Sequence, residues 1–294
     1  MADTIATEET LTGPVRRPVN AARDVKGSIH DDQTASRLGL RGGTVAGSVH
    51  LDLFPPLLLD AFGPSWFETG SLSIDFRNPT TDGEPVRASI GRPPTDRGEA
   101  PAQVAAWIDR EDGMRVGEGT AAVGGPSTPS ALRAKDLSRF SGGEFRILEG
   151  VASGDEIPPV EVTVDPQRQE GLLERDLVAE PLDWYRGDSP WGAPILVPQL
   201  MVHYLYQPGS VFLTQGFRDR GGAVGLFGAI ELANLAGPML VGRSYEMSGT
   251  VLAVGQSPKT EYAWFEVTAA GDSGPVARLL MQLRFMKASS PLYA

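Results

Sequence analysis

Ser71-Leu72-Ser73-Ile74-Asp75-Phe76 puts Leu72, Ile74 and Phe76 at alternate positions, the period of a strand with one face buried. Asn78-Pro79-Thr80-Thr81-Asp82-Gly83 follows, a run whose asparagine, proline and glycine favour a tight turn. Continuing outward, the pattern predicts strands around Val86 to Ile90 and Gln103 to Arg110. Asp112-Gly113 then marks a hairpin into a fourth strand at about Arg115 to Val123. The same layout returns 159 residues later: Pro79 maps onto Pro238, Gly83 onto Gly242, and the strands onto Tyr245 to Val251, Tyr262 to Ala269 and Val276 to Phe285. One offset that keeps strands and turns in phase indicates a structural duplication.

Ahead of each strand set, a glycine-containing turn leads into an apolar stretch of helical length. The first is Arg41-Gly42-Gly43-Thr44-Val45-Ala46-Gly47-Ser48-Val49-His50-Leu51-Asp52-Leu53-Phe54; the second runs from Trp191 to Tyr204. Each half therefore reads as one long helix followed by a mainly antiparallel sheet. A sheet wrapped around the helix buries it nearly all round, which accounts for the lack of a polar stripe. The predicted division is a disordered tail over 1–12, an N-terminal unit over 13–124, a linker over 125–143, a C-terminal unit over 144–288 and a tail over 289–294. Residues 151–190, rich in Asp, Glu and Pro, read as irregular decoration.

Composition narrows the chemistry. The chain has 294 residues, 41% apolar and 21% charged, with a formal charge of −11. That balance argues against a nucleic-acid coat or binding to an anionic membrane. With no cysteine, disulfides, thiolate metal sites and a cysteine nucleophile are excluded. The three histidines, His30, His50 and His203, have no helical metal-ligand spacing between them, so no metal is expected. Neither a phosphate-binding Gly-x-x-x-x-Gly-Lys-(Ser/Thr) nor a Gly-x-Ser-x-Gly nucleophile elbow occurs. Met1 to Thr12 has acidic side chains and no basic ones, unlike a secretory signal, and a cytoplasmic location is expected.

Ser28-Ile29-His30, Ala35, Gly39, Gly42-Gly43 and Thr44-Val45-Ala46-Gly47, with Phe76, Asn78-Pro79 and Asp82-Gly83-Glu84 downstream, resemble the hotdog superfamily and, within it, the MaoC-like acyl-thioester dehydratases and hydratases. The resemblance implies an α+β double hotdog, the second unit degenerate. In that family an aspartate precedes the histidine by five positions in a Gly-Asp-x-Asn-Pro-(Ile/Leu/Val)-His run. Here Gly27-Ser28 stand where Asn-Pro would be, and Asp24, the nearest upstream acid, lies six positions before His30. Asp24, Asp31 or Asp32 is the candidate partner of His30, or there is none.

The implied activity is reversible hydration of 2-enoyl thioesters of coenzyme A or an acyl carrier protein. Histidine exchanges protons near neutral pH and suits a base that activates water, the role implied for His30. Gly47, with Val45 and Ala46, would present backbone N–H groups to the thioester oxygen. His50 is either a packed histidine or part of the site, and His203 is structural. Between Gly13 and His50 six basic residues, Arg37 and Arg41 among them, face three acidic ones; they would receive phosphates or are solvated surface arginines. In the second half no histidine precedes the helix, and Leu182-Asp183-Trp184-Tyr185 takes that place. Competing readings are a thioesterase, a cyclase or isomerase on the same scaffold, and a non-catalytic acyl-binding subunit. No cofactor, nucleic acid or membrane is expected, and a homodimer is admitted.

Overall fold

A computed structural model describes residues 9–94, 98–140, 143–187 and 189–294. In chain order these form β1 (Thr10–Thr12), α1 (Asp32–Arg37), α2 (Gly47–Leu51), α3 (Pro55–Phe62), α4 (Trp66–Thr69), β2 (Ser71–Phe76), β3 (Val86–Gly91), β4 (Ala102–Arg110) and β5 (Arg115–Val123). The second half supplies β6 (Glu156–Thr163), α5 (Pro166–Glu174), α6 (Pro198–Arg218), β7 (Gly225–Asn234), β8 (Ser244–Gln256), β9 (Thr260–Gly271) and β10 (Gly274–Met286).

All ten strands join one antiparallel sheet in the order β1-β3-β4-β5-β2-β7-β10-β9-β8-β6. Read inward from either edge, the order is the same five-strand unit met twice. The halves join at β2 and β7, where Leu72 pairs with Leu232 and Ser73 with Glu231. Shifting Leu72 and Ser73 by the repeat offset of 159 residues gives Glu231 and Leu232, so the two pairs exchange and a local two-fold passes between them. The sheet is thus continuous across the halves, where two sheets joined side by side, each wrapping a long helix, were expected. Main-chain pairing at the seam is what makes them one.

The helices differ between halves. In the second, α6 is a 21-residue helix with Pro208 inside it, and Gly209 lies so close to the Phe265 ring that a Cβ would be 2.3 Å from it. In the first, no single long helix forms. The chain breaks at Asp52–Phe54, and α3 restarts on Pro55-Pro56, because proline lacks the N–H that would continue the ladder and its ring crowds the preceding turn.

Several segments are more ordered than expected. Thr10–Thr12, placed in a tail by sequence, pairs with β3 and buries Leu11; the first eight residues of that tail lie outside the described residues. Residues 151–190 contain edge strand β6 and helix α5 rather than irregular decoration. Within 289–294, Tyr293 donates its hydroxyl to buried Glu261. The stretch read as a linker crosses the outer face of the sheet: Leu132 is fully buried with Tyr262, Trp264 and Leu280, Leu132 N–H donates to Ser73 Oγ at 3.2 Å, and Arg133 Nε to Glu231 at 2.7 Å. This cover is why Ser73 and Asp75, on the face of β2 turned away from the helices, are buried too.

Candidate active site

Beyond Asp75 and Ala229 the pairing of β2 with β7 ends. Each strand then stays only with its outer neighbour, β5 or β10, and the strand ends open a wedge. A cavity of about 200 Å³ occupies it, lined by His30, Thr44 to Gly47, His50 and Phe76 to Thr80 from the first half and by Gly225 to Gly228 and Arg284 from the second.

His30 is held mainly by backbone. Its carbonyl accepts from Asn20 Nδ2 at 2.8 Å, and Thr44 N–H donates to the Ile29 carbonyl at 2.9 Å. Gly43 is packed so tightly on this loop that a Cβ would lie 2.2 Å from the His30 oxygen. The ring Nδ1 sits 2.7 Å from the Thr44 carbonyl; a carbonyl only accepts, so Nδ1 carries the proton and Nε2 is left with its lone pair. The residue lines the cavity.

Segment 44–46 is fixed against the turn after β2 by Val45 N–H donating to the Thr80 carbonyl at 2.9 Å and by a bridge from Thr44 to Thr81. His50 completes the clamp: Nδ1–H faces the Ala46 carbonyl at 3.3 Å and Nε2 accepts from Thr80 Oγ1 at 2.9 Å. Desolvation pushes the pKa of His50 down to about 4, so at neutral pH it is uncharged and hydrogen-bonded at both ring nitrogens. Gly47 opens α2, and among the described residues its N–H takes no protein acceptor. Its missing Cβ leaves room for the Phe76 ring, which a Cβ would meet at 2.9 Å.

The remaining expected residues stay away from the cavity. Asp24 is exposed. Asp31 is buried, with one oxygen on Lys26 Nζ at 3.2 Å and the other accepting from Thr34 Oγ1 at 2.8 Å; the Thr34 hydroxyl foremost, with Lys26, holds its carboxyl down at about 2. Asp32 accepts from Gly43 N–H at 2.7 Å. No Asp or Glu is among the described residues that line the cavity, so His30 has the Thr44 carbonyl where a carboxylate was expected. Arg41 pairs with Glu84 at 2.9 Å, and Arg37 donates to Thr34 Oγ1 at 3.1 Å. Of the other basic residues, Arg16, Arg23 and Lys26 pair with Glu180, Asp82 and Asp31, and Arg17 donates to the Gly83 carbonyl at 3.2 Å.

The second half repeats this frame with different side chains. Ile195 N–H donates to the Trp184 carbonyl at 2.9 Å, and Leu196 N–H to the Met239 carbonyl at 2.9 Å, as Thr44 and Val45 do to Ile29 and Thr80. Tyr185 then stands where His30 stands. It is 2% exposed with an unpartnered hydroxyl, and desolvation raises its pKa. The N-terminal amide of Gln199 in α6 is taken at 2.9 Å by Asp52 Oδ1, a carboxyl that reaches across from the first half. The equivalent space is therefore filled. Sequence reasoning located Tyr185 but missed Asp52, Thr80 and the whole contribution of β7 and β10.

One antiparallel sheet, built from two similar halves that each pack it against central helices, defines the double hotdog fold. Solved structures share it over nearly the whole chain. A MaoC domain protein assigned as a dehydratase, from Chloroflexus aurantiacus J-10-fl, is 12% identical with a TM-score of 0.66, covering 97% of this chain and 99% of its own. A conserved hypothetical protein of Mycobacterium tuberculosis with a double hotdog fold is 12% identical (TM-score 0.57, 96% of each chain), and a MaoC-like dehydratase 14% identical (TM-score 0.56, 95% and 98%). No family model and no curated protein matches the sequence. Among the described residues, no helix is long and apolar enough to cross a membrane.

Proposed function

We propose that this chain adds water to 2-enoyl thioesters, or removes it from the 3-hydroxyacyl forms, at a single site built around His30. The observation that carries the reading is the unpartnered Nε2 of an imidazole fixed by its other nitrogen, in a cavity that both halves line. In the hydration direction His30 Nε2 takes one proton of water as the hydroxyl bonds to C3 of the substrate. The electron pair of the double bond passes to the thioester carbonyl, and the imidazolium returns its proton to C2. Gly47, which lines the cavity with its N–H unused, serves in this reading as the donor to the enolate oxygen. Lacking a carboxylate behind it, His30 relies on the Thr44 carbonyl for orientation, which is weaker support for the imidazolium than a full negative charge. With Tyr185 and Asp52 filling the second half's equivalent space, that half serves as scaffold and cavity wall.

The carbonyl in place of a carboxylate favours one further reading, an acyl-binding subunit without turnover. Loss of conjugated-enoyl absorbance on mixing with crotonyl-coenzyme A supports hydration. Thiol release instead would indicate a thioesterase. Silence in both assays with a raised Tm in the presence of acyl-coenzyme A would select the binding reading.

A further inference from the structure

The cavity has a neighbour that the hydration chemistry leaves unused. On the outer face of the sheet lies a groove of about 600 Å³ beneath the strap at Lys135 to Leu137. Groove and cavity share two wall residues, Arg77 and Arg284, so a guanidinium-bearing residue from each half stands at their junction.

The two arginines are not equivalent. Arg77 pairs with Asp75 at 2.9 Å and Glu118 at 3.1 Å, so its charge is balanced locally. Arg284 donates only through Nε, to Gln282 Oε1 at 2.7 Å, and among the described residues its outer nitrogens have no partner. The other acids at the groove are Asp75, which Arg77 and Lys135 share, and Asp136. Space for Arg284 over β7 exists because residue 228 is glycine; a Cβ there would lie 2.5 Å from Arg284 Nε.

The pseudo-symmetric end of the seam lacks all of this. Counting back or forward by the repeat offset, Arg77 corresponds to Ala236 and Arg284 to Gly125. That end is closed by Asn234 N–H on the Gly70 carbonyl at 2.8 Å and Gly237 N–H on the Glu68 carbonyl at 3.0 Å. An uncompensated arginine thus accompanies only the end that holds His30.

We propose that Arg284 is a specificity residue that binds an anionic group of the thioester substrate at this junction, an inference that rests on the thioester reading above. An arginine with its outer N–H groups free recognises the paired oxygens of a carboxylate or phosphate. Two parts of such a substrate carry them: an acid on the acyl chain, or the phosphates of the carrier arm.

Calorimetric titration with probes that cannot react separates the sources. The probes are S-butyl-coenzyme A, with phosphates only; S-(3-carboxypropyl)-N-acetylcysteamine, with a carboxylate only; and S-butyl-N-acetylcysteamine, with neither. Arg284→Gln is expected to weaken one anionic probe by about 10- to 100-fold, the span of a lost charge-assisted hydrogen bond. Arg284→Lys should fall between the two, and the uncharged probe should be unaffected. A loss confined to the coenzyme A probe assigns the phosphate, and one confined to the carboxylated probe assigns the acyl acid. Equal affinities of wild type and Arg284→Gln for both anionic probes, or no binding of either to wild type, overturns the proposal. Because crotonyl-coenzyme A turnover is measured apart from these titrations, failure here with turnover present leaves the hydratase reading standing.

Discussion

At the scale of single residues the site is a matter of what His30 leaves free. With Nδ1 committed to the Thr44 carbonyl, Nε2 is the one nitrogen of the ring available to water. His30→Gln, which keeps a donor and similar volume, is expected to cut kcat for enoyl-thioester hydration by about 10²- to 10⁴-fold, the usual worth of a general base. Its Tm should stay close to wild type, since the ring lies at a cavity wall. An unchanged kcat in stopped assays of the purified variant would remove His30 from the mechanism. Gly43 offers an independent check on the loop. A Cβ there meets the His30 backbone oxygen at 2.2 Å, and backbone cannot swing aside as a side chain can. Gly43→Ala should therefore displace His30 and lose hydration activity along with about 1–3 kcal/mol of stability, measured by urea unfolding. Ile29-His30 and the Gly42 to Gly47 turn were singled out in sequence by their resemblance to a family pattern, because their contacts, such as Val45 to Thr80 and Thr44 to Thr81, are made across the fold. Arg284, Phe227 and Gly228 were not, since strand register alone brings them to His30 from some two hundred residues away in the chain.

At the scale of elements, the two halves solve one packing problem in two ways. Strands β2 to β5 and β8 to β10 were legible because period-two alternation and turn residues survive duplication even where identity does not; β1, β6 and β7 were not read. The helices were harder to read. The stretch Arg41 to Phe54 reads as one buried helix until Pro55-Pro56 just beyond it is weighed; α2 ends at Leu51 and α3 restarts on those prolines. The burial of Ser73 and Asp75 was also hidden, because it depends on a strap that composition marks only as a linker. In the second half α6 stays whole and approaches the sheet closely at Gly209. Two opposing effects set the outcome of Gly209→Ala. Alanine gains about 1 kcal/mol of helix propensity over glycine, but its Cβ would sit 2.3 Å from a carbon of the Phe265 ring, and overpacking of this kind costs about 1–3 kcal/mol. Both groups are held in a dense core, so the clash is expected to win and the denaturation midpoint to fall. Combining it with Phe265→Leu, which shortens the opposing side chain, should recover part of the loss; additive effects of the two substitutions would show that the contact is not the cause.

At the scale of the whole molecule, buried titratable groups set how stability varies with pH, and here they oppose one another. Burial holds His50 and His203 at about 4 against an ordinary 6.5, Arg168 adding to the effect at His203. Between those values the unfolded chain binds more protons than the native one, so both histidines make stability fall as pH falls from 6.5 toward 4. Asp52 acts in reverse. Burial between α2 and α6 raises its carboxyl to about 7 from 3.8, outweighing the hydrogen bonds from Gln199 that favour the charged form. Across that interval the native state keeps a proton that the unfolded chain has released, so its contribution rises as pH falls from 7 toward 4 and is lost as pH climbs through 7. The wild-type profile between pH 4 and 6.5 should accordingly be shallower than two histidines alone would make it. Asp52→Asn keeps an acceptor for the Gln199 amide at every pH but removes the titration. Its urea midpoint, followed from pH 4 to 8, should decline toward acid more steeply than wild type, by up to one proton's worth of slope, about 1.4 kcal/mol per pH unit. Profiles that run parallel would mean that Asp52 ionises in the native state as it does in the unfolded chain, and that the contact joining the two central helices is a buried charge rather than a neutral acid.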